Sequence, residues 1–320
     1  MGVNKHYTMT QPCKIAIIGA GYTAREHIKA FADVAGASIV GIHSRTRSRA
    51  EALAAEYNIK RVCSSVGELY EQTRADLVVV TVVELSMNTV SQACFEFPWT
   101  ALLEKPAGYN LADAVEIEVA AREKNRSVFV ALNRRFYSST RAALGGLTDE
   151  PRFIKVQDQE DQMAALAAGQ PELVVKNWMY ANSIHMIDYL RMFGRGTIQQ
   201  VETQFPWRNK EPHVMHATMK FSSGDTGVYE GVWNMPGPWA VTVATHSKRW
   251  ELRPMEQAHF QNKGERKLHP VDIHEWDKKF KPGFRLQAEM AVKAALGMPS
   301  QSVTLGDSLE TMRLIHSIFQ

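Results

Sequence analysis

The stretch Cys13-Lys14-Ile15-Ala16-Ile17-Ile18-Gly19-Ala20-Gly21-Tyr22-Thr23-Ala24 decides how the rest of the chain is read. Its first six residues form a short apolar, β-branched run, the mark of a buried strand. After the glycines, Arg25 to Val34 has helical spacing, with Ile28, Phe31 and Ala32 on one face. A G-x-G-x-x-[GA] turn between a strand and a helix has a specific physical use. Gly19 permits the tight turn, Gly21 lets the backbone approach a pyrophosphate, and Ala24 is small enough for close helix–sheet packing. The helix N-terminus then offers unpaired N–H groups to phosphate, with Tyr22 and Thr23 as further cofactor-binding candidates in the turn. A plain glycine turn is the simpler reading of the motif out of context.

Working outward, Ser38 to Ile42 reads as a second strand, followed by His43-Ser44-Arg45-Thr46-Arg47. A site for NAD places an acid here for the ribose 2′-hydroxyl. None is present; Ser44, Arg45 and Arg49 suit a 2′-phosphate instead, which favours NADP, with NAD still open. The alternative is that Ser44 caps the helix Arg47 to Tyr57 and the arginines are solvated. Val62 to Ser65 and the aliphatic Asp76 to Val82 are further strands, the second buried on both faces as parallel strands are. Thr81 and Val82 close it at the cofactor edge. Helices are expected near Gly67 to Gln72, over Ser86 to Phe95 and over Leu111 to Lys124, with strands at Thr100 to Leu103 and Ser127 to Leu132. The alternation predicts a doubly wound parallel sheet over 13–135.

The fifth strand runs into Glu104-Lys105-Pro106. Pro106 cannot extend a central strand, so Lys105 is left at the carboxyl edge, where open α/β sheets bind ligands. By itself this is a lysine closing a strand; beside a nucleotide turn it is a candidate catalytic cation.

These stretches together resemble the Gfo/Idh/MocA family of sugar-type oxidoreductases. The resemblance rests on Gly19 to His27, Glu104-Lys105-Pro106, Asn133-Arg134-Arg135-Phe136, Asn182 to Asp188 and the ending Ser308 to Phe319. It implies an N-terminal Rossmann domain and a C-terminal α+β domain with a large, mainly antiparallel sheet, which in relatives often joins copies into a homodimer or homotetramer. It implies hydride transfer with a nicotinamide cofactor on a carbohydrate-like substrate. Lys105 would bind the reacting oxygen, and His185 would handle the proton. Asp188 would orient His185 or accept from a second hydroxyl. Asn133 and Arg135 would hold the nicotinamide end or the substrate edge, and Glu104 would position the strand end. Two departures stand out. Val82-Val83-Glu84 replaces a common Pro-Asn, and Ala181 stands where many members have an aspartate. A non-catalytic dinucleotide-binding regulator is therefore the competing reading.

The second segment, 136–320, supports this from its own residues. Arg152 to Gln157 reads as a strand and Asp158 to Lys176 as a crossing of the cleft mouth, with a turn of helix near Ala164 to Ala168. Asn182 is a plausible cap for a helix from Ser183 to Phe193, stopped by Gly194. On it His185 and Asp188 share a face. Strands are expected at Ile198 to Phe205, His213 to Phe221, Gly227 to Asn234, Ala240 to Thr245 and Lys248 to Leu252. Trp207, Trp233 and Trp239 read as core or interface aromatics before sugar platforms. Phe284 to Leu296 is expected to pack on this sheet, and Leu309 to Phe319 to return over the first domain.

The net charge of +3 is small for 320 residues and argues against a nucleic-acid partner. No apolar run is long enough to span a membrane. Cys13, Cys63 and Cys94 are expected as reduced thiols in a cytoplasmic protein, without metal-ligand spacing. Residues 1–12 are expected to form a flexible tail.

Overall fold

The structure, a computed structural model, describes residues 12–208 and 213–319. The expected tail therefore lies outside the described residues except for Pro12.

Six parallel strands form the first sheet: β1 (Cys13–Ile18), β2 (Ala37–His43), β3 (Val62–Cys63), β4 (Leu77–Val80), β5 (Thr100–Leu103) and β6 (Val128–Val130). Their order, β3-β2-β1-β4-β5-β6, reverses direction at β1/β4, the crevice where such sheets bind ligands. The aliphatic run of β4 has its cause here: it pairs with β1 and β5, and every residue is buried. Helices Tyr22–Ala32, Arg47–Tyr57, Val66–Thr73, Glu84–Phe95 and Leu111–Glu123 connect the strands. Two begin on side-chain caps: Ser65 accepts from Glu68 N (3.0 Å) and Asn110 from Asp113 N (2.9 Å). Ser44 does not cap the second helix, whose N-cap is Thr46 without a side-chain bond. The first helix starts at Tyr22 rather than Arg25, and β4 and β6 are shorter than their apolar runs.

The second sheet has eight strands: β7 (Phe153–Glu160), β8 (Ile198–Phe205), β9 (His213–Phe221), β10 (Thr226–Trp233), β11 (Ala240–Ala244), β12 (Lys248–Leu252), β13 (Ala258–Asn262) and β14 (His269–Pro270). In the order β14-β13-β12-β11-β7-β10-β9-β8 every pair is antiparallel except β7–β10. The last two strands were not expected, because Ala258-His259-Phe260-Gln261-Asn262 has no β-branched residue to mark it. Along β7, Ile154, Val156, Asp158 and Glu160 face inward, so the buried stripe ends in two acids. The β9–β10 hairpin turns at Gly224 (φ +88°), and the buried Asp225 beside it accepts from Arg152 N (2.9 Å) and Arg195 Nη2 (2.7 Å). Helix Ile184–Phe193 lies on the inner face with Ile184, Ile187 and Leu190 fully buried.

The first of the two C-terminal helices differs from expectation, and the last returns over the first domain as expected. Phe284–Ala295 packs on the first sheet, not the second: Phe284, Ala288, Ala291 and Val292 share a core with Ile15, Ile17, Leu77, Val79 and Leu102. Leu305–Phe319 rests on both the Leu111–Glu123 helix and the Ile184–Phe193 helix, so it joins the two halves.

Candidate active site

The glycine turn is built as a phosphate cradle. Gly19 has φ +106°, and a Cβ there would collide with the hydroxyl and carbonyl of Thr81. Thr81 is fixed in turn, its hydroxyl donating to Ile18 O (2.9 Å). At Gly21 a Cβ would meet nothing within 4 Å, and the helix it introduces has no side-chain cap. The N–H groups at Tyr22, Thr23 and Ala24 are thus left for a ligand. Ala24 is fully buried against the sheet, and Tyr22 is exposed.

A cleft of about 240 Å³ continues from this turn, lined by Gly19, Gly21, Ser44, Arg45, Arg49, Thr81, Val82 and Val83 among others. Arg47 is occupied by Glu51 (2.8 Å). The side chains of Arg45 and Arg49 have no hydrogen bond or ion pair among the described residues. The residues thus fit a dinucleotide, with two uncommitted guanidiniums at the end of β2.

At the other end of the same sheet edge, Glu104 follows β5 and its Oε1 meets His27 Nε2 at 2.6 Å, inside the core. That bond ties the strand end to the first helix. Lys105 projects from here across to the second half, where Nζ donates to Ala181 O (2.8 Å). Ala181 belongs to a wide, π-type turn, Met179–Ser183, that leads into the Ile184–Phe193 helix. Such turns recur at functional sites.

Asn182 does not cap that helix. Its Nδ2 donates to both oxygens of Glu160 (3.0 and 2.9 Å), which also accepts from Trp178 Nε1 (2.7 Å). Neighbouring Asp158 accepts from Tyr229 OH (2.9 Å). Burial, then the adjacent Asp158, pushes the Glu160 carboxyl well above its usual range, and burial raises Asp158 too. The wide turn is thus pinned from behind by a buried acid pair.

The charges of Lys105, Arg134 and Lys281 act on His185. Burial first, and then those three charges, holds it well below the ordinary imidazole value. Its Nδ1 is buried with no hydrogen-bond partner. Lys105 is lowered mainly by burial, with Glu104 and Glu84 partly opposing.

Asp188 does not orient His185. It is 2% exposed; its two oxygens accept from Arg135 Nε and Nη2 (both 2.7 Å), and Oδ1 also accepts from Thr311 (2.8 Å). Arg135 also bonds Asp307, which Arg191 holds at 2.9 Å. Its guanidinium is therefore committed to an internal network rather than to the nicotinamide end. Asn133 likewise donates to Pro282 O (3.0 Å) and fixes the 281–283 loop.

Sequence reading missed Arg134, Lys281 and the Asp158–Glu160 pair. Arg134 stands inside a quoted motif, yet only the fold shows which of its two arginines is left without a carboxylate. Lys281, 5.4 Å above the Tyr22 ring, sits in a loop with no periodicity. Trp233 is core, 4.4 Å from Trp207, whereas Trp239 lies at the surface with Arg134 Cζ 4.7 Å from its ring. Among the described residues no group of side chains could hold a metal ion.

Residues 13–132 match the family GFO_IDH_MocA, described as an oxidoreductase family with an NAD-binding Rossmann fold. D-apiose dehydrogenase of Paraburkholderia graminis is 25% identical over 142 residues, 44% of this chain and 38% of that protein. The match thus spans well under half of that relative's length. Inositol 2-dehydrogenase 2 of Paenarthrobacter aurescens is 22% identical and covered at 96% of each chain. A dehydrogenase structure from Chromobacterium violaceum superposes with TM-score 0.82 at 18% identity, over 97% of this chain and 95% of that one. At that identity the likeness speaks for the fold.

Proposed function

This chain belongs to the Gfo/Idh/MocA oxidoreductase family, and on that premise we propose that it is a cytoplasmic, NADP-preferring dehydrogenase or reductase of carbohydrate-like substrates. The substrate class is a sugar, sugar nucleotide or polyol, in keeping with the apiose and inositol dehydrogenases it resembles. The preference for NADP is supported by the free Arg45 and Arg49 at the ribose end of the cleft. Three buried free cysteines suit a reducing compartment. Assembly of copies through the second sheet belongs to the same reading, supported by exposed Phe205 and Val214 on β8 and β9.

The observation that carries the reading is Lys105. A half-buried ammonium is held by one carbonyl at the sheet edge, directly across from a neutral histidine. When bound, the nicotinamide supplies the hydride chemistry. Lys105 would hold the reacting oxygen and stabilise its negative charge as the carbon changes oxidation state. His185, neutral at physiological pH, would take the hydroxyl proton during oxidation and return it during reduction. Glu104 and Asn133 act one step back, fixing the strand end and the 281–283 loop.

The test is nicotinamide absorbance with a panel of polyols, aldoses and keto-sugars, alongside direct measurement of NADPH and NADH binding. Turnover of one panel member with tighter NADPH binding supports the reading. Tight cofactor binding with no turnover anywhere in the panel overturns it in favour of a regulatory protein.

A further inference from the structure

We infer that the substrate pocket takes an oxyanion, a carboxylate or phosphate on the carbohydrate, and that Arg134 receives it. The inference rests on the proposed reading of Lys105 and His185 as the reacting end of the pocket.

Arg134 lies where three elements meet: the 133–136 turn, the His185 helix and the Trp239 loop. Its guanidinium touches Met186 on the helix and stacks 4.7 Å from the Trp239 ring. It is half-buried and makes no ion pair among the described residues, whereas five of the seven other buried or half-buried arginines (all but Arg126 and Arg152) have a carboxylate. Burial raises the Asp158 carboxyl and the Arg134 charge partly lowers it, with no ion pair between the two among the described residues. Glu256 stands beside Trp239 on the rim of a hollow of about 470 Å³, without an ion pair to Arg134. Three cations thus act on His185, while Glu104 and Glu84 act on Lys105. Lys281 lies over the Tyr22 ring at the glycine turn, on the cofactor side. That leaves Arg134 as the cation on the substrate side.

A planar fork stacked on an indole and deprived of a carboxylate is suited to a bidentate oxyanion. Ala181 is consistent with this, since an acid at that position would repel one. A neutral polyol would leave the guanidinium uncompensated.

The test uses the intact protein saturated with NADPH, so that the cofactor's own phosphate subsites are filled. The probes are D-galacturonate and D-glucose 6-phosphate, each against its neutral counterpart, D-galactose and D-glucose, with binding read by NADPH fluorescence. At least one anion is expected to bind about ten-fold or more tightly than its neutral partner. That preference should vanish in Arg134→Met and survive in part in Arg134→Lys, with thermal midpoints confirming that both fold. The anion that wins distinguishes carboxylate from phosphate. Equal binding of anionic and neutral probes, no binding of either anion, or a preference that persists in Arg134→Met overturns the inference. Because the readout is binding, failure of turnover is a separate result that bears on the enzymatic reading alone.

Discussion

Helix Ile184–Phe193 contributes to two polar clusters that both contain arginine and differ in how their charges are satisfied. On one side Arg135, Asp188, Asp307, Arg191 and Thr311 form a closed network in which each charge has an opposite partner or a hydroxyl. On the other, Lys105, His185, Arg134 and Lys281 have no ion pair among the described residues, and His185 Nδ1 has no partner among them. The first arrangement is what holding two halves of a molecule together requires, because a buried pair broken on one side is costly. The second is costly as it stands, and such a cost is sustained where an incoming ligand completes the site. Neighbouring arginines, 134 and 135, thus serve chemistry or structure according to whether their charges are answered from within.

The contrast is sharpest at Lys105. Lys105→Met should lower kcat/KM by about 10³-fold, equivalent to about 4 kcal/mol, while NADPH binding and the thermal midpoint stay near wild type. A loss under ten-fold would remove Lys105 from the chemistry and erase the distinction. Asp188→Ala should do the opposite, costing about 3 kcal/mol in denaturant unfolding while changing kcat by less than Lys105→Met does. If it abolished turnover in a fully stable protein, the closed network would be part of the machinery.

His185→Gln should reduce oxidation by about 10²-fold. Its pH dependence carries a sign. Oxidation needs the neutral imidazole, and burial plus three cations hold its pKa well below 6.5. The wild-type kcat/KM should therefore stay level as pH falls through 6.5 and decline only well below it. Removing a repelling cation in Arg134→Met should move that limb upward, toward 6.5. A wild-type limb at or above 6.5 would mean that the cluster is answered by an acid after all. The smallest effect is expected at the cofactor's far end, where Arg45→Ala should weaken NADPH binding about ten-fold and NADH much less. Equal losses would rule out a 2′-phosphate role.

The parallel sheet was legible because its signals are local: a glycine turn with a strand before and a helix after, and aliphatic runs as long as the strands they make. Lys105 was legible because Pro106 fixes where the strand ends. The second half was less so. Strands β13 and β14 lack the composition that betrays a strand, and antiparallel backbone pairing alone defines them, Leu252 with Ala258 and Phe260 with His269. Asp188 misled for a related reason. Helical spacing puts it near His185, but its partners, Arg135 and Thr311, are 53 and 123 residues away in sequence. Spacing reveals which residues share a face and is silent on what that face meets.

Helix Phe284–Ala295 supplies part of the core beneath β1 and β4, with the Phe284 ring 4.7 Å from His27 and Arg285 bonded to Asp33. A ribosome completes the six strands of the nucleotide half when residue 130 has been made, yet this covering helix emerges some 150 residues later. At ordinary elongation rates that gap lasts on the order of ten seconds. Throughout it the nascent nucleotide half presents an uncovered apolar strip around Ile15, Ile17 and Leu77, a surface for a chaperone to occupy until the chain's own last third arrives.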